Sequence, residues 1–324
     1  MKKKLTLILL LASSCTKYPA PKGDLGPELT LSQYTAQDTN FRLYNLALQR
    51  SGMATDTTFA SGGPYTIYVP MNGAMQGAGF NQQTLATYDT ARLRGILEYG
   101  ILNGRLSGAS LTGTYSETVT CLNPLFQPEL TKNYYGIFLD GVPVVKPDIP
   151  VSEGVIQATD RMVLPPTGTL MQEIDSLPEL TIFGAAVRHI ARFRNLLENP
   201  APVKNNGNGT NFYGITLLAP NNSAFKDFGF PDTASIQQAD SNYMYNLLYV
   251  YFFPGEYYTS DFKGGITFGG PYFNYSGNGA LFSIEADGIT FQSAANVQYT
   301  VQIVKPDISA TNGVIHELNY ILFP

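Results

Sequence analysis

Side chains able to do covalent or acid–base chemistry are few in this chain of 324 residues, which has two His and two Cys. A hydrolase triad needs a His beside a Ser or Cys nucleophile, with a carboxylate to orient it. His189 lies among Arg188, Arg192 and Arg194, on what reads as the exposed side of a helix, and His316 sits beside the apolar pair Val314-Ile315. Both read as structural. There is no Gly-x-Ser-x-Gly elbow and no glycine-rich phosphate loop. Two His and two Cys also argue against a multi-ligand metal centre. The expectation is a chain that is not an enzyme and uses no metal and no cofactor.

One cysteine has a different chemistry in reach. Lys2, Lys3 and Lys4 precede an apolar run from Leu5 to Ala12, then Ser13, Ser14 and Cys15. The run is too short to span a bilayer. This order resembles a bacterial lipoprotein signal, in which Cys15 becomes the acylated first residue of the mature chain. An ordinary signal peptide with an incidental cysteine is the alternative. Thr16 to Pro27, rich in Pro and Gly, reads as an extended tether. Thr16 rather than Asp follows the cysteine, which favours the outer membrane. No acidic run of the kind seen in surface-exported Bacteroidetes-type lipoproteins follows it, and the membrane face stays open. Loss of the three lysines leaves 17 Lys+Arg against 25 Asp+Glu, a net charge of −8. That excludes a nucleic-acid partner, which needs basic stripes. Cys121 is then alone, and it is expected to be buried within Val119 to Leu125.

Two aspartates fall inside a phrase that occurs twice. Val145-Lys146-Pro147-Asp148-Ile149 precedes Gly154-Val155-Ile156, and Val304-Lys305-Pro306-Asp307-Ile308 precedes Gly313-Val314-Ile315, each 159 residues later. Upstream, Thr66 to Pro70 with Asn72 answers Thr216 to Pro220 with Asn222 at an offset of 150. Constant spacing over separate landmarks marks a duplicated domain with loop drift. These landmarks resemble the two signature boxes of the fasciclin-like family. Thr216 to Phe225 and Thr66 to Met75 match the first box; Asn312 to Pro324 and Glu153 to Pro165 match the second. The resemblance implies an α+β fold of two tandem fasciclin-like domains, each a β-wedge or sandwich with helices packed at one side. It also implies adhesion. In animal matrix members an Asp-Ile stretch is tied to integrin binding, which makes Asp148 and Asp307 candidate binding residues. A Pro-Asp turn that feeds a closing strand explains the same letters. The family's central Tyr-His pair is Tyr99-Gly100 and Tyr249-Val250 here: both copies keep the Tyr and lose the His.

The elements follow from periodicity. Helices are expected over Phe41 to Arg50, Thr90 to Tyr99 with Asp89 as N-cap, Thr181 to Leu197, and Asn242 to Tyr251. Strands are expected at Thr66 to Val69, Thr216 to Ala219 and Val155 to Leu164. Hairpins are expected around Asp140-Gly141 and Asp287-Gly288. Tyr299 to Val304 reads as a strand added in the second copy, and Pro200 to Thr210 as a loop without strand or helix. Asp89-Thr90-Ala91 and Asp232-Thr233-Ala234 resemble a short bacterial O-glycosylation motif, though helix N-caps give the same letters. The resulting organisation is a signal at 1–14, a tether at 15–28, and domains at 29–166 and 167–324.

The aromatic content is 21 Tyr and 19 Phe with no Trp. Most should be core. Tyr272 and Tyr275 lie in a Gly-flanked polar stretch and are the candidate contact residues for a partner or a sugar face. The expected function is non-catalytic adhesion or binding at the cell envelope, with the membrane as partner through Cys15 and a protein or glycan as ligand. The alternative is an accessory glycan-binding lipoprotein of an outer-membrane nutrient-uptake system.

Overall fold

A computed structural model describes residues 29–198, 203–204, 211–212, 214–263, 266–268, 282–293 and 300–322. The first unit opens with helices α1 (Leu31–Gln37), α2 (Arg42–Arg50) and α3 (Thr57–Gly62), then strand β1 (Tyr65–Pro70). Helices α4 (Asn72–Gly77), α5 (Gln82–Thr87) and α6 (Thr90–Tyr99) follow, then strands β2 (Ile101–Asn103), β3 (Tyr115–Thr118), β4 (Glu129–Asn133), β5 (Gly136–Leu139), β6 (Val142–Val151) and β7 (Gly154–Thr159). The second unit repeats the plan. It has α7 (Leu170–Ser176), α8 (Thr181–His189), α9 (Ala191–Glu198), β8 (Val203–Lys204), β9 (Asn211–Phe212), β10 (Ile215–Pro220), α10 (Asn222–Asp227), α11 (Thr233–Gln237), α12 (Ser241–Leu248) and β11 (Phe252–Pro254). It ends with α13 (Thr259–Phe262), β12 (Ile266–Phe268), β13 (Phe282–Ile284), β14 (Thr290–Ser293), β15 (Val301–Ala310) and β16 (Gly313–Leu318).

Each unit builds one seven-stranded sheet, β2-β1-β7-β6-β5-β4-β3 and β11-β10-β16-β15-β14-β13-β12. The same pair is parallel in each, β1 with β7 and β10 with β16, and every other pairing is antiparallel. Strands β1, β7, β10 and β16 are buried at every position. A strand covered on both faces reads as a continuous apolar run, which is how Thr66 to Val69 and Thr216 to Ala219 look in the sequence. The fold is α+β with helices gathered beside the parallel pair, as the duplicated boxes imply. Each unit has its own core: one cluster in the second unit, and two in the first.

Several local expectations hold. Asp89 caps α6 by accepting from the Arg92 amide, and Asp232 caps α11 by accepting from Ser235. Asp140 and Gly141, with φ of 47° and 71°, turn the β5–β6 hairpin in the two-residue arrangement that suits a twisted ribbon. Others need correction. The helix expected over Thr181 to Leu197 breaks at Ile190, which leaves helical geometry at φ −111° and ψ 104°. The apolar period continues across the break because Phe193 stacks on Tyr245 and Phe252, with centroids 5.1 and 4.4 Å away. Packing onto a curved core overrides local propensity there. Tyr299 to Val304 is not an added strand either. Its residues Val301 to Val304 open β15, the counterpart of β6, and five of the roughly nine extra residues fall between β14 and β15 in the chain. Val203–Lys204 pairs with Asn211–Phe212 in a short ladder where a plain loop was expected. Cys121 is half-buried, its thiol 3.2 Å from the Phe126 carbonyl, and Leu125 beside it is exposed.

Candidate functional site

The signature letters of both boxes do structural work, and the same work in each copy. In the first box, Asn72 accepts from the Leu43 amide at 3.0 Å and donates to the Thr39 carbonyl at 2.7 Å. Asn222 does this for Ile182 and Pro178 at 2.9 and 2.8 Å. Each Asn therefore ties the helix after β1 or β10 to the start of α2 or α8, satisfying a helix N-terminal amide. The Thr66 hydroxyl donates to the Gly104 carbonyl and accepts from the Leu106 amide; Thr216 does so with Gly255 and Tyr257. In the second box, Glu153 and Asn312 accept from the amides of Leu31 and Leu170, the first residues of α1 and α7. Gly154 and Gly313 sit at φ 151° and 154°, where a Cβ would lie 1.9 and 2.0 Å from the carbonyl oxygens of Tyr65 and Ile215. Only glycine fits that approach.

The repeated Lys-Pro-Asp phrase is a β-bulge. Register shifts occur between Val144 and Ile149 in β6, and between Ile303 and Ile308 in β15. Asp148 and Asp307 both stand at φ 60°, a left-handed turn that Asp tolerates better than most residues. Asp148 accepts from the Gly108 amide through both oxygens at 3.1 Å and from Gln157 Nε2 at 2.8 Å. Asp307 accepts from the Thr259 amide and hydroxyl at 2.7 and 2.6 Å. One strand over, Gln157 and His316 hold the bulges in the same way. Gln157 Oε1 accepts the Asp148 amide at 3.1 Å, and its Nε2 faces the Leu106 carbonyl at 3.3 Å. His316 Nδ1 accepts the Asp307 amide at 3.1 Å, and Nε2 lies 2.8 Å from the Tyr257 carbonyl. With Nδ1 accepting, the ring proton belongs on Nε2. Complete burial pushes the His316 pKa below its ordinary value, which suits a neutral imidazole.

The remaining sequence candidates are dispersed. His189 ends α8 rather than lying mid-helix; its Nε2 sits 3.1 Å from the Ala239 carbonyl and 3.2 Å from Ser241 Oγ. It lines an open cleft of about 610 Å3 with Thr181, Arg188, Thr233 and Gln237, floored by Gly184 and Ala185. The matched positions in the first unit are Asn45 and Leu46, so only the second copy has small residues there. Cys15, Tyr272 and Tyr275 lie outside the described residues. An aromatic pair that sequence reading passed over, Tyr134 and Tyr135 at the β4–β5 turn, is exposed, with rings edge to face at 5.4 Å. No helix among the described residues is long and apolar enough to cross a membrane.

A fasciclin domain model matches residues 39–165 and again 179–324. The chain belongs to the fasciclin family. Its fasciclin domains are of a kind associated with cell adhesion and binding, and generally non-catalytic. Human Stabilin-1 is 27% identical over 157 residues, 47% of this chain, and the chain spans only 6% of Stabilin-1. A solved FAS1 domain pair from the insect cell adhesion molecule Fasciclin I overlaps 87% of this chain and 96% of its own, at 18% identity and a TM-score of 0.37.

Where the two fasciclin domains meet, the structure gathers groups that carried no sequence signal. Asp140, in the β5–β6 turn, is buried and accepts from the Tyr99 hydroxyl at 2.6 Å and the Glu129 amide at 2.7 Å. Desolvation pushes its carboxyl up to about 7. Arg161 reaches across to Asp307 at 2.7 Å while donating to the Gly141 carbonyl at 2.8 Å. Asn133 Nδ2 donates across to the Ser260 carbonyl at 2.9 Å. From the second domain, the Glu256 and Asp261 carboxyls are each pushed up to about 7, first by burial and then by the Glu129 charge opposite. In the sequence Asp140 reads only as a turn residue. Its inward placement depends on which element covers the turn.

Proposed function

We propose that this chain is a non-catalytic, lipid-anchored binding protein of the cell envelope, held on the outer membrane through Cys15 and acting in adhesion through its two fasciclin domains. The observation that carries this reading is the duplication itself. Both copies spend their signature residues on closing the fold, so recognition falls to surfaces that differ between the copies. The apolar run before Cys15 supports the anchor, since one diacylated cysteine together with further contacts gives stable attachment. Cys15→Ser should release the chain from the membrane fraction; a variant that stays tightly bound would refute the anchor. Adhesion is tested by the binding of envelope proteins and intact cells to the immobilised chain, with Tyr272→Ala/Tyr275→Ala as the comparison. A loss of about 1–3 kcal/mol in affinity is expected if these tyrosines are anchors.

The cleft on the second domain favours a second reading, capture of a glycan for an outer-membrane uptake system. Its volume suits a small ligand, and its rim offers hydroxyl, guanidinium, imidazole and amide groups. A glycan array with wild type and Arg188→Ala separates the readings. Saccharide binding lost in the variant supports capture, and no saccharide binding leaves adhesion.

A further inference from the structure

The seam between the domains holds more acid than base. From the first domain, Glu129 on β4, Asp140 in the β5–β6 turn and the Tyr99 hydroxyl of α6 face it, with the Cys121 thiol behind Tyr99 and Arg161 beyond β7. From the second come Glu256 and Tyr258 after β11, Asp261 on α13 and Asp307 on β15, with His316 on β16 at 3.8 Å from Asp307. Arg161 is the one guanidinium bonded into this seam among the described residues, and it is committed to Asp307 and the Gly141 carbonyl. Asp140 is satisfied by a hydroxyl and an amide, neither of them a cation. Glu256 has no hydrogen-bond or ion-pair partner among the described residues. Among the described residues the bonds that cross the seam are polar, and each hydrophobic cluster stays within its own domain. The Asp307 side chain shows how closely the two sides approach: a Cβ on Gly141 would lie 2.5 Å from its carboxyl carbon.

We propose that this seam is a proton-operated latch: the domains stay clasped while the seam carboxyls Asp140, Glu256 and Asp261 are protonated, and swing apart about the 160–169 connection when they ionise. Burial first and then like charge push these three carboxyls up to about 7, with Asp307 acting across the seam on Asp140, and Glu129 acting across it on Glu256 and Asp261. Opening returns water to them, and they move toward their ordinary values of 3.8 and 4.5. The closed form therefore binds more protons than the open form between those limits. Closure has its full support below about pH 4 and loses it as pH rises through about 7. His316 stays inside its own domain in either state, so it does not set this dependence.

The test is small-angle scattering of the full chain from pH 5 to pH 8 at constant ionic strength. Wild type should be compact at pH 5 and show a larger radius of gyration at pH 8. Glu256→Gln with Asp261→Asn should stay compact to pH 8, or shift the expansion upward by about 1 pH unit or more. Arg161→Gln should expand at lower pH than wild type. Circular dichroism checks that each variant is folded, and Asp140→Asn replaces the double variant if that one is not. A wild-type radius constant across the range, or a carboxamide variant that expands as wild type does, overturns the latch.

Discussion

At the scale of single residues, the duplication makes the molecule its own control. Tyr44 and Phe183 occupy matched core positions, since the amides just before them are bonded by Asn72 and Asn222. The Tyr44 hydroxyl is fully buried without a partner among the described residues, and burial raises its pKa. Tyr44→Phe should stabilise the first domain by about 1 kcal/mol, because an unsatisfied buried hydroxyl carries its desolvation cost uncompensated. A denaturant midpoint that falls in the variant would show that the hydroxyl has a role. His316 and Gln157 form a second pair. Because burial lowers the His316 pKa, the unfolded chain takes up a proton first as pH falls through the ordinary value of 6.5. The contribution of neutral His316 is present above that value and is lost below it. His316→Gln copies the arrangement already used in the first domain. The variant should fold, and its stability between pH 7 and pH 5 should fall less than that of wild type. Equal slopes would remove His316 from the acid sensitivity.

At the scale of elements, β16 is the strand on which the second domain depends. It pairs in parallel with β10 and antiparallel with β15, and Asn312 just before it binds both the start of α7 and the Leu197 carbonyl at the end of α9. Val314, Ile315, Leu318, Ile321 and Leu322 are all buried. Each such side chain contributes about 1.5–3 kcal/mol of burial, so their joint loss is comparable to the whole stability of an ordinary domain. A chain ending at Asn312 should lose the cooperative melt of its second domain while the first still melts. Retention of both transitions by circular dichroism would contradict the assignment of β16 as the closing strand.

At the scale of the whole molecule, separate cores and a polar seam define two cooperative units. Among the described residues no hydrophobic cluster spans both domains, and the crossing bonds are hydrophilic. Calorimetry of the full chain should resolve two transitions, and Tyr44→Phe should raise only one of them. A single transition that moves as a whole would mean that the seam couples the domains more strongly than its polar contacts imply. The same seam is where the proposed latch acts, since a polar interface can be loosened without unfolding either side.

Duplication, α+β class and the strands that carry the boxes are legible in the sequence because they rest on local signals. Repeated words mark the copies, apolar runs mark β1 and β10, and Asp89 before an apolar period marks α6. The reason Gly154 and Gly313 recur could not be read there, because it lies in a carbonyl on a strand 89 or 98 residues away in the chain. Nor could the break at Ile190, since an unbroken helix and a bent pair present the same apolar period until Phe193 meets Tyr245 and Phe252. Asp148 and Asp307 show the division most plainly. Their letters allow either a binding loop or a turn; both carboxylates accept from an amide, Gly108 or Thr259, yet Asp148 stays exposed while the Asp307 carboxylate is buried. Asp307 alone also faces Arg161, because only it lies against the other domain. Identical sequence words thus end with different partners, since the charge a side chain meets is decided by which surfaces pack together and not by its neighbours along the chain.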